Sequence, residues 1–391
     1  MTAVLKGVRV LELGTFITGP CAGMLLADLG ADVIKVEQPV TGDPFRSYQG
    51  SLYSPQFRAY NACKRSLTLN LKDHRGRKAF LRLAQEADVI IENYRPGVAD
   101  ALGIGWRAIH ELNDRLVYCS ITGFGADGPY AGRPCYDTVA QGLSGYLSQF
   151  TDSGNPRIAG PAVADAITGM YAAYGILGAL FERQRTGIGR CVEVAMLDSL
   201  IAFGTEPFAS YFANGVAPKP HTRASVSQSY ALSCADNKLV ALHLASPEKF
   251  WRSLLEAIEA TDLGHDPRFN SRERRVRNYD QLRAELQTIF ATRQRADWLE
   301  RLAAHDVPHA PVATLEEVTA DPHVGHAGIF ETLNHPSQGK VSHIRRPVRI
   351  DGDRKAGGLP PPTLGEHSAA ILSEFGYTES EILQMQQDGV L

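Results

Sequence analysis

The sequence predicts an α/β protein built on a mostly parallel sheet, and three observations carry that prediction. Short apolar strands alternate with helical segments from Val8 to Thr122, the order that places crossover helices between parallel strands. The joints after those strands (Thr15–Gly19, Asn93–Gly97 and Gly123–Gly128) are rich in glycine, proline and small polar residues, as loops at strand carboxyl ends are. Beyond a proline-containing stretch, Asn214–Arg223, the pattern changes to a hairpin and charged helices, so a second domain follows the first.

In chain order, Val8–Leu13 reads as a buried strand and Pro20–Leu29 as an apolar helix. Proline opens that helix at its first turn and Gly30 closes it. Asp32–Glu37 (DVIKVE) is the next strand, which completes a strand–helix–strand unit of the kind that binds nucleotides. Lys64-Arg65-Ser66 leads into an alternating strand, Ser66–Leu71, followed by a helix over Gly76–Glu86 and a strand over Asp88–Glu92. Asn93–Gly97 (NYRPG) is a turn, Trp106–Leu112 a helix and Leu116–Thr122 a strand. Arg190–Ala195 is a strand, and an apolar helix runs from Met196 towards Tyr211. After the linker, Tyr230–Leu244 is a hairpin turning at Asp236-Asn237. Helices span Pro247–Glu259, Asp280–Phe290 and Ala296–His305, and the prolines of Val307–Val312 impose an extended run. Leu315–Ala320 and His323–His326 are helical, Lys340–Ile350 alternates as a strand, and Glu366–Phe375 and Thr378–Gln387 are terminal helices.

Bulk properties exclude several classes of function. The 391 residues are 44% hydrophobic and carry a formal net charge of −3, so there is no electrostatic footprint for nucleic acid or an anionic membrane. Apolar runs are expected to stop short of a membrane span, and Met1–Gly7 lacks the apolar core of a signal peptide. Six scattered cysteines show no ligand spacing and read as thiols of a reducing compartment. The expectation is a cytoplasmic, metal-free protein.

The segment Pro161–Gly187 organises the rest. Ile167, Met170, Tyr171, Tyr174, Leu177, Leu180 and Phe181 recur at helical spacing, and Gly187 supplies a stop. Asp165 is the expected N-cap. Gly169, Gly175 and Gly178 lie inside the helix, each at a cost of about 1 kcal/mol against alanine. Close backbone packing is the expected reason. From this stretch alone, Asp165 is either a cap or a reactive carboxylate. If it is reactive, the amides of Ala166, Ile167 and Thr168 are expected to keep it ionised. Gly123–Gly128 (GFGADG) fits a dinucleotide fingerprint in letters only, because Pro129, Gly132 and Pro134 prevent a helix from starting where the pyrophosphate needs one.

The runs DLGADVIKVE, NACKRSLTLNLK, IENYRPG, SITGFGADGP, GPAVADAITGMYAAYGILGALFERQRTGIG and PPPTLGEH together resemble the family III coenzyme A transferases. That group includes the formyl-CoA:oxalate, carnitine and succinyl-CoA:dicarboxylate transferases and the related α-methylacyl-CoA racemases. The resemblance covers nearly the whole chain in collinear order. It implies a large doubly wound, Rossmann-like domain made from both chain ends and a smaller α+β domain, in an interlocked homodimer. The expected bounds are 1–200 for the first part of the large domain and 201–225 for a linker. The small domain takes 226–312, and a linker with the closing part of the large domain takes 313–391.

The same resemblance makes Asp165 the nucleophile that takes an acyl group from coenzyme A. Coenzyme A or acyl-CoA is then a substrate, and no cofactor is held permanently. It places CoA contacts at Ile17, Thr18, Gln38, Leu69, Asn70, Leu71, Lys72, Asn93, Tyr94 and Arg95, and at Tyr136 and Asp137 ahead of the helix. Lys72 and Arg95 are the candidate phosphate donors, each with a plain surface or turn role as the alternative, and Lys64-Arg65 could serve instead. Gln38 stands where the formyl-CoA branch has arginine. The lid region His221–Tyr230 contains no glycine, which disfavours formyl/oxalate exchange. In that region His221, Arg223, Ser225 and Gln228 could recognise the far carboxylate of a dicarboxylic acid, with Arg223 as the bidentate partner or else as linker surface. Two rivals remain. A racemase needs an acid and a base on opposite faces of the α-carbon, and Tyr136 stands where that branch has histidine; a phenol with a pKa near about 10 is a poor base. A non-catalytic acyl-CoA-binding module would not need Asp165.

Overall fold

The computed structural model describes residues 3–245, 247–352, 354 and 358–391; the first two residues of the Met1–Gly7 reading lie outside the described residues. Six strands form one parallel sheet in the order β3-β2-β1-β4-β5-β6. They are β1 (Arg9–Glu12), β2 (Asp32–Glu37), β3 (Lys64–Thr68), β4 (Val89–Glu92), β5 (Val117–Thr122) and β6 (Cys191–Ala195). This is the doubly wound order, and the expected parallel sheet is present. The strands are β-branched and apolar on both faces because helices cover both. Leu11, Ile34, Leu67, Ile90 and Tyr118 point into one core with α3 (His74–Gln85) and the two terminal helices, Ser368–Glu374 and Glu379–Gln387. Their neighbours Val10, Val33, Val89 and Val117 point the other way, against α1 (Thr18–Asp28) and α7 (Val163–Thr186). That alternation is the period of two made visible. The strand order reverses between β1 and β4, so the loops after these strands flank the crevice where such folds bind ligands.

Between these lie α2 (Pro55–Asn61), α4 (Val98–Ala101), α5 (Trp106–Leu112), α6 (Asp137–Leu143), α8 (Met196–Phe203) and α9 (Thr205–Asn214). The helix expected from Met196 to Tyr211 is therefore two helices, parted at Gly204. β3 begins two residues earlier than expected and pairs Lys64 with Val33 in β2. α7 is 24 residues long and, contrary to expectation, apolar enough by length and composition to cross a membrane. Half of its most apolar window is buried, against α1, β5, β6 and α8 among others.

The chain divides into two compact units. The first comprises 1–147, 159–205 and 327–391, and carries the parallel sheet. It also carries a hairpin, β10 (Phe330–His335) with β11 (Gly339–Ile344); the strand expected over Lys340–Ile350 is β11, which ends at Ile344, whereas β10, with only Leu333 and His335 buried, was not expected. The second unit comprises 148–158 and 206–326. There β7 (Ser229–Ser233), β8 (Leu239–His243) and β9 (His309–Pro311) form an antiparallel sheet, so the extended Val307–Val312 run supplies a third strand to the expected hairpin. Its core gathers Trp251, Phe269, Leu282, Leu286 and Trp298. The Trp298 indole N–H is satisfied by the Phe290 carbonyl at 2.9 Å.

Candidate active site

Asp165 sits in the first turn of α7, although not as its cap. The N-cap is Ala162, which has no side chain to offer, and Asp165 is the third helical residue. The cap comes from another element. Asp137, the first residue of α6, accepts the Ala164 N–H on Oδ1 at 2.8 Å and approaches the Asp165 N–H at 3.5 Å. Gln141, one turn along, donates to Asp137 Oδ2 at 2.6 Å and fixes its plane. The open amides of a helix start are thus satisfied by a carboxylate 27 residues upstream. Gly169 lets α7 lie against α1: a Cβ there would fall 2.6 Å from Cys21 Cβ and 2.9 Å from the Thr18 carbonyl. Gly175 is similarly crowded by Val192, whereas Gly178 faces open space and has no packing reason.

The Asp165 carboxyl is pushed up to about 7, first by burial and then by the Asp137 charge. Contrary to the expectation from sequence, the helix amides therefore do not hold it fully ionised. Ala166 N–H is already committed to the Ala162 carbonyl at 3.2 Å. Among the described residues no cation lies within ion-pair distance of Asp165. A carboxylate in this state is more basic and less solvated than a surface one, which suits attack on carbon. Cys135, also on the wall, has its thiol pushed up to about 11 by burial and by Asp165, so it is no competing thiolate nucleophile.

Asp165 opens onto a cavity of about 640 Å³ at the strand carboxyl ends. Ile17, Thr18, Asn93 and Tyr94 form part of its wall, and Arg95, Tyr136 and Asp137 another part. Asn93 ties the two loops at the strand-order reversal. Its Oδ1 accepts the Thr15 N–H at 2.9 Å, and its Nδ2 donates to the Thr15 carbonyl at 2.8 Å and to Thr18 Oγ1 at 2.9 Å. Phe16, Phe45, Tyr48, Arg133 and Met196, none of them a contact expected from the sequence, also line it. Arg133 carried a usable signal, being a cation in the loop after β5; the aromatics carried none. Its guanidinium lies over the Tyr130 ring at 3.9 Å, which leaves its in-plane donors free for an anion.

Other expected contacts lie elsewhere. Gln38 is exposed just after β2, and the Leu69 side chain is buried in the sheet core. Asn70, Leu71 and Lys72 follow β3 and do not line the cavity; Asn70 N–H bonds the Val390 carbonyl at 2.8 Å. Lys64 cannot serve a phosphate as it stands, because its fully buried ammonium is held by Glu12 Oε2 at 2.5 Å, Asn61 Oδ1 at 2.8 Å and the Pro20 carbonyl at 2.8 Å. Arg65 is paired with Asp32 and Glu374. In the second unit, His221 precedes and Arg223 and Ser225 lie on the short helix α10 (Thr222–Val226). Arg223 is exposed, and Ser225 Oγ bonds the Thr222 carbonyl at 2.9 Å. Gln228 is spent internally, on Arg275 Nε at 2.7 Å and the Ala245 carbonyl at 3.0 Å.

The model of CoA-transferase family III matches residues 5–368. The chain is 34% identical over 395 residues to mouse succinyl-CoA:glutarate CoA-transferase, covering 99% of this chain and 90% of that protein. It is 33% identical over 415 residues to formyl-CoA:oxalate CoA-transferase of Streptomyces avermitilis, covering 100% of both. The crystal structure of a CaiB/BaiF family protein from Brucella suis superposes with a TM-score of 0.85 at 34% identity, covering 96% of this chain and 100% of that one. Together these findings show that the chain belongs to CoA-transferase family III and is an enzyme that transfers coenzyme A to a carboxylic acid.

Proposed function

We propose that this enzyme moves coenzyme A between small dicarboxylic acids, with succinyl-CoA or a close analogue as donor and Asp165 as the covalent nucleophile. The observation that carries the proposal is the Asp165 carboxylate, desolvated and without a cation partner among the described residues, on the wall of the cavity at the strand-order reversal. Relatives named succinyl-CoA:glutarate and succinate–glutarate CoA-transferases support the choice of acids.

An Asp165 oxygen attacks the thioester carbonyl, the carbon–sulfur bond breaks, and CoA leaves as thiolate from a mixed aspartyl–acyl anhydride. The thiolate attacks the aspartyl carbonyl and expels the donor acid as carboxylate, leaving an aspartyl-CoA thioester. The acceptor carboxylate attacks that thioester and expels the thiolate again, giving a second anhydride. The thiolate then takes the acceptor acyl group and releases the Asp165 carboxylate. No net proton moves, so one group cycling between carboxylate and acyl forms is sufficient. Asp137 holds the helix start on which Asp165 rides, and Arg95 and Arg133 stand in the cavity for the anionic parts of the substrate. On the second unit, Arg223, with His221 and Ser225, is the proposed reader of the acid's far carboxylate. We also propose a homodimer. Met170, Tyr174 and Phe181, 60%, 75% and 72% exposed, form an apolar stripe along α7 that a second copy would cover.

Mass spectrometry on enzyme mixed with succinyl-CoA, followed by peptide mapping, tests the mechanism. The expected result is an adduct on the peptide containing Asp165, with both adduct and transfer lost in Asp165→Ala while its melting temperature stays within a few degrees. Transfer near the wild-type rate in that variant would remove Asp165 from the mechanism. The same assay with a panel of free acids identifies which become thioesters.

A further inference from the structure

Phe16 forms part of the cavity wall with a backbone φ of 60°, in the left-handed region that a bulky residue avoids. Such strain persists only where the surroundings over-determine it, and it marks sites where geometry matters. The constraint comes from a buried set of charges that the transfer chemistry does not use. Asp43 Oδ1 accepts the Phe16 N–H at 3.1 Å and the Phe45 N–H at 2.9 Å. Asp43 Oδ2 faces Lys35 Nζ at 3.0 Å, and Lys35 also donates to the Gly14 carbonyl at 2.7 Å and to Glu12 Oε1 at 2.9 Å. Lys64 closes the set on Glu12 Oε2. Glu12 and Lys35 are 0% exposed, Asp43 and Lys64 1%. Three buried ion pairs among four charges bring little net stability for their desolvation, so their presence calls for another reason. That reason stands above them. The Phe16 ring meets the Phe45 ring edge-on at 5.5 Å and the Tyr136 ring at 6.1 Å, making an aromatic wall whose first two members hang from one carboxylate oxygen.

We propose that Asp43, itself fixed by Lys35, is a positioning residue that sets Phe16 and Phe45 as the wall along which the apolar arm of the acyl-CoA lies. The proposal rests on the reading of this cavity as the acyl-CoA site. Steady-state kinetics with varied acyl-CoA and saturating acid test it. Phe16→Ala should raise KM about tenfold with kcat within about threefold, and Asp43→Ala should do the same. Because Asp43 acts through Phe16 and Phe45, the double variant should fall well short of the roughly hundredfold rise that independent effects would give. If Asp43→Ala does not fold, two conservative variants separate position from stability. Asp43→Asn keeps an acceptor oxygen in place but loses the ion pair, so its melting temperature should fall while KM stays within about twofold of wild type. Asp43→Glu keeps the charge but displaces the acceptor, so KM should rise. A KM that follows melting temperature across the series, or effects that multiply in the double variant, overturns the positioning role. An unchanged KM in Phe16→Ala overturns the cavity reading together with it, whereas a raised KM there and none in the Asp43 variants overturns this inference alone.

Discussion

Replacing Asp137 by asparagine should move the acid limb of the acylation half-reaction downward in pH and lower its plateau. The Asp165 carboxyl is pushed up to about 7, well above an ordinary aspartate, with burial the larger cause and the Asp137 charge the second. In the wild type the carboxylate is then about 90% ionised at pH 8 and about 10% at pH 6, so kcat/KM for acyl-CoA should fall roughly tenfold across that range. Asparagine keeps an oxygen for the Ala164 N–H and removes only the charge, once Gln141 turns its amide to meet the new NH₂. Burial, the larger cause, remains, so the limb should shift down by only the smaller part of the whole displacement. A less basic carboxylate is also a weaker nucleophile, so the plateau above pH 8 should drop several-fold while the rate at pH 6 falls less or even rises.

The assay follows succinate release and aspartyl-CoA formation from succinyl-CoA in a single turnover between pH 5 and 9, without acceptor acid, so that the acceptor's own titration does not enter. Stability supplies an independent check. A carboxyl raised from about 3.9 unfolded to about 7 folded gives its full stabilisation below pH 4 and loses it as pH rises through 7. Asp165→Asn, which cannot ionise, should therefore melt above the wild type at pH 8, with the gap closing towards pH 4. A wild-type limb near pH 4, or an identical limb in Asp137→Asn, would refute the reasoning.

Three further outcomes are expected. A 2-methylacyl-CoA incubated in deuterium oxide should not exchange its α-proton, because Tyr136, 65% exposed and packed edge-on against Phe16, gives no second base; NMR showing deuterium uptake at useful rates would reinstate racemisation. Arg223→Ala should weaken use of succinate-like acceptors by roughly one to two orders of magnitude and spare monocarboxylic acids, read as kcat/KM for the two acid classes; equal losses would mean that Arg223 only holds its loop. Tyr174→Glu should lower the apparent mass in light scattering by uncovering the α7 stripe, and an unchanged mass would place the subunit contact elsewhere.

How far this was legible in the sequence follows from the range of each interaction. Asp32–Glu37 and Trp106–Leu112 came out with the bounds expected, because strand alternation and helical spacing are local. The alternation of Val10 with Leu11, or Ile34 with Val33, is what two covered sheet faces require, and it reads directly. Asp165 was located for the same reason, as the acid at the head of a long apolar helix. Its cap was not, since Asp137 reaches it across 27 residues and Ala162 offers no side chain. Lys64 looked like a free cation because nothing near it in sequence predicts Glu12 as its partner. Lys340–Ile350 alternates and gave β11, but its partner β10 escaped notice because FETLNH is mostly exposed and polar.

The distribution of cations favours the role proposed for Asp165. A lysine beside it would depress its pKa, weaken it as a nucleophile and hold it in an ion pair that acyl-CoA would have to break. The fold instead commits Lys35 and Lys64 inward, to Glu12 and Asp43, where they form no ion pair with the Asp165 carboxylate. Arg95 and Arg133 line the same cavity but form no ion pair with Asp165 among the described residues, which leaves them for anionic ligands. Beside Asp165 the fold places Asp137, a second carboxylate, whose charge raises the basicity of Asp165 while its oxygens anchor the helix start. One side chain thus performs two tasks that substitution can separate. Asp137→Asn should keep the anchor and lose the basicity, whereas Asp137→Ala should lose both. If the two variants gave the same pH profile and the same melting temperature, the charge and the cap could not be distinct contributions.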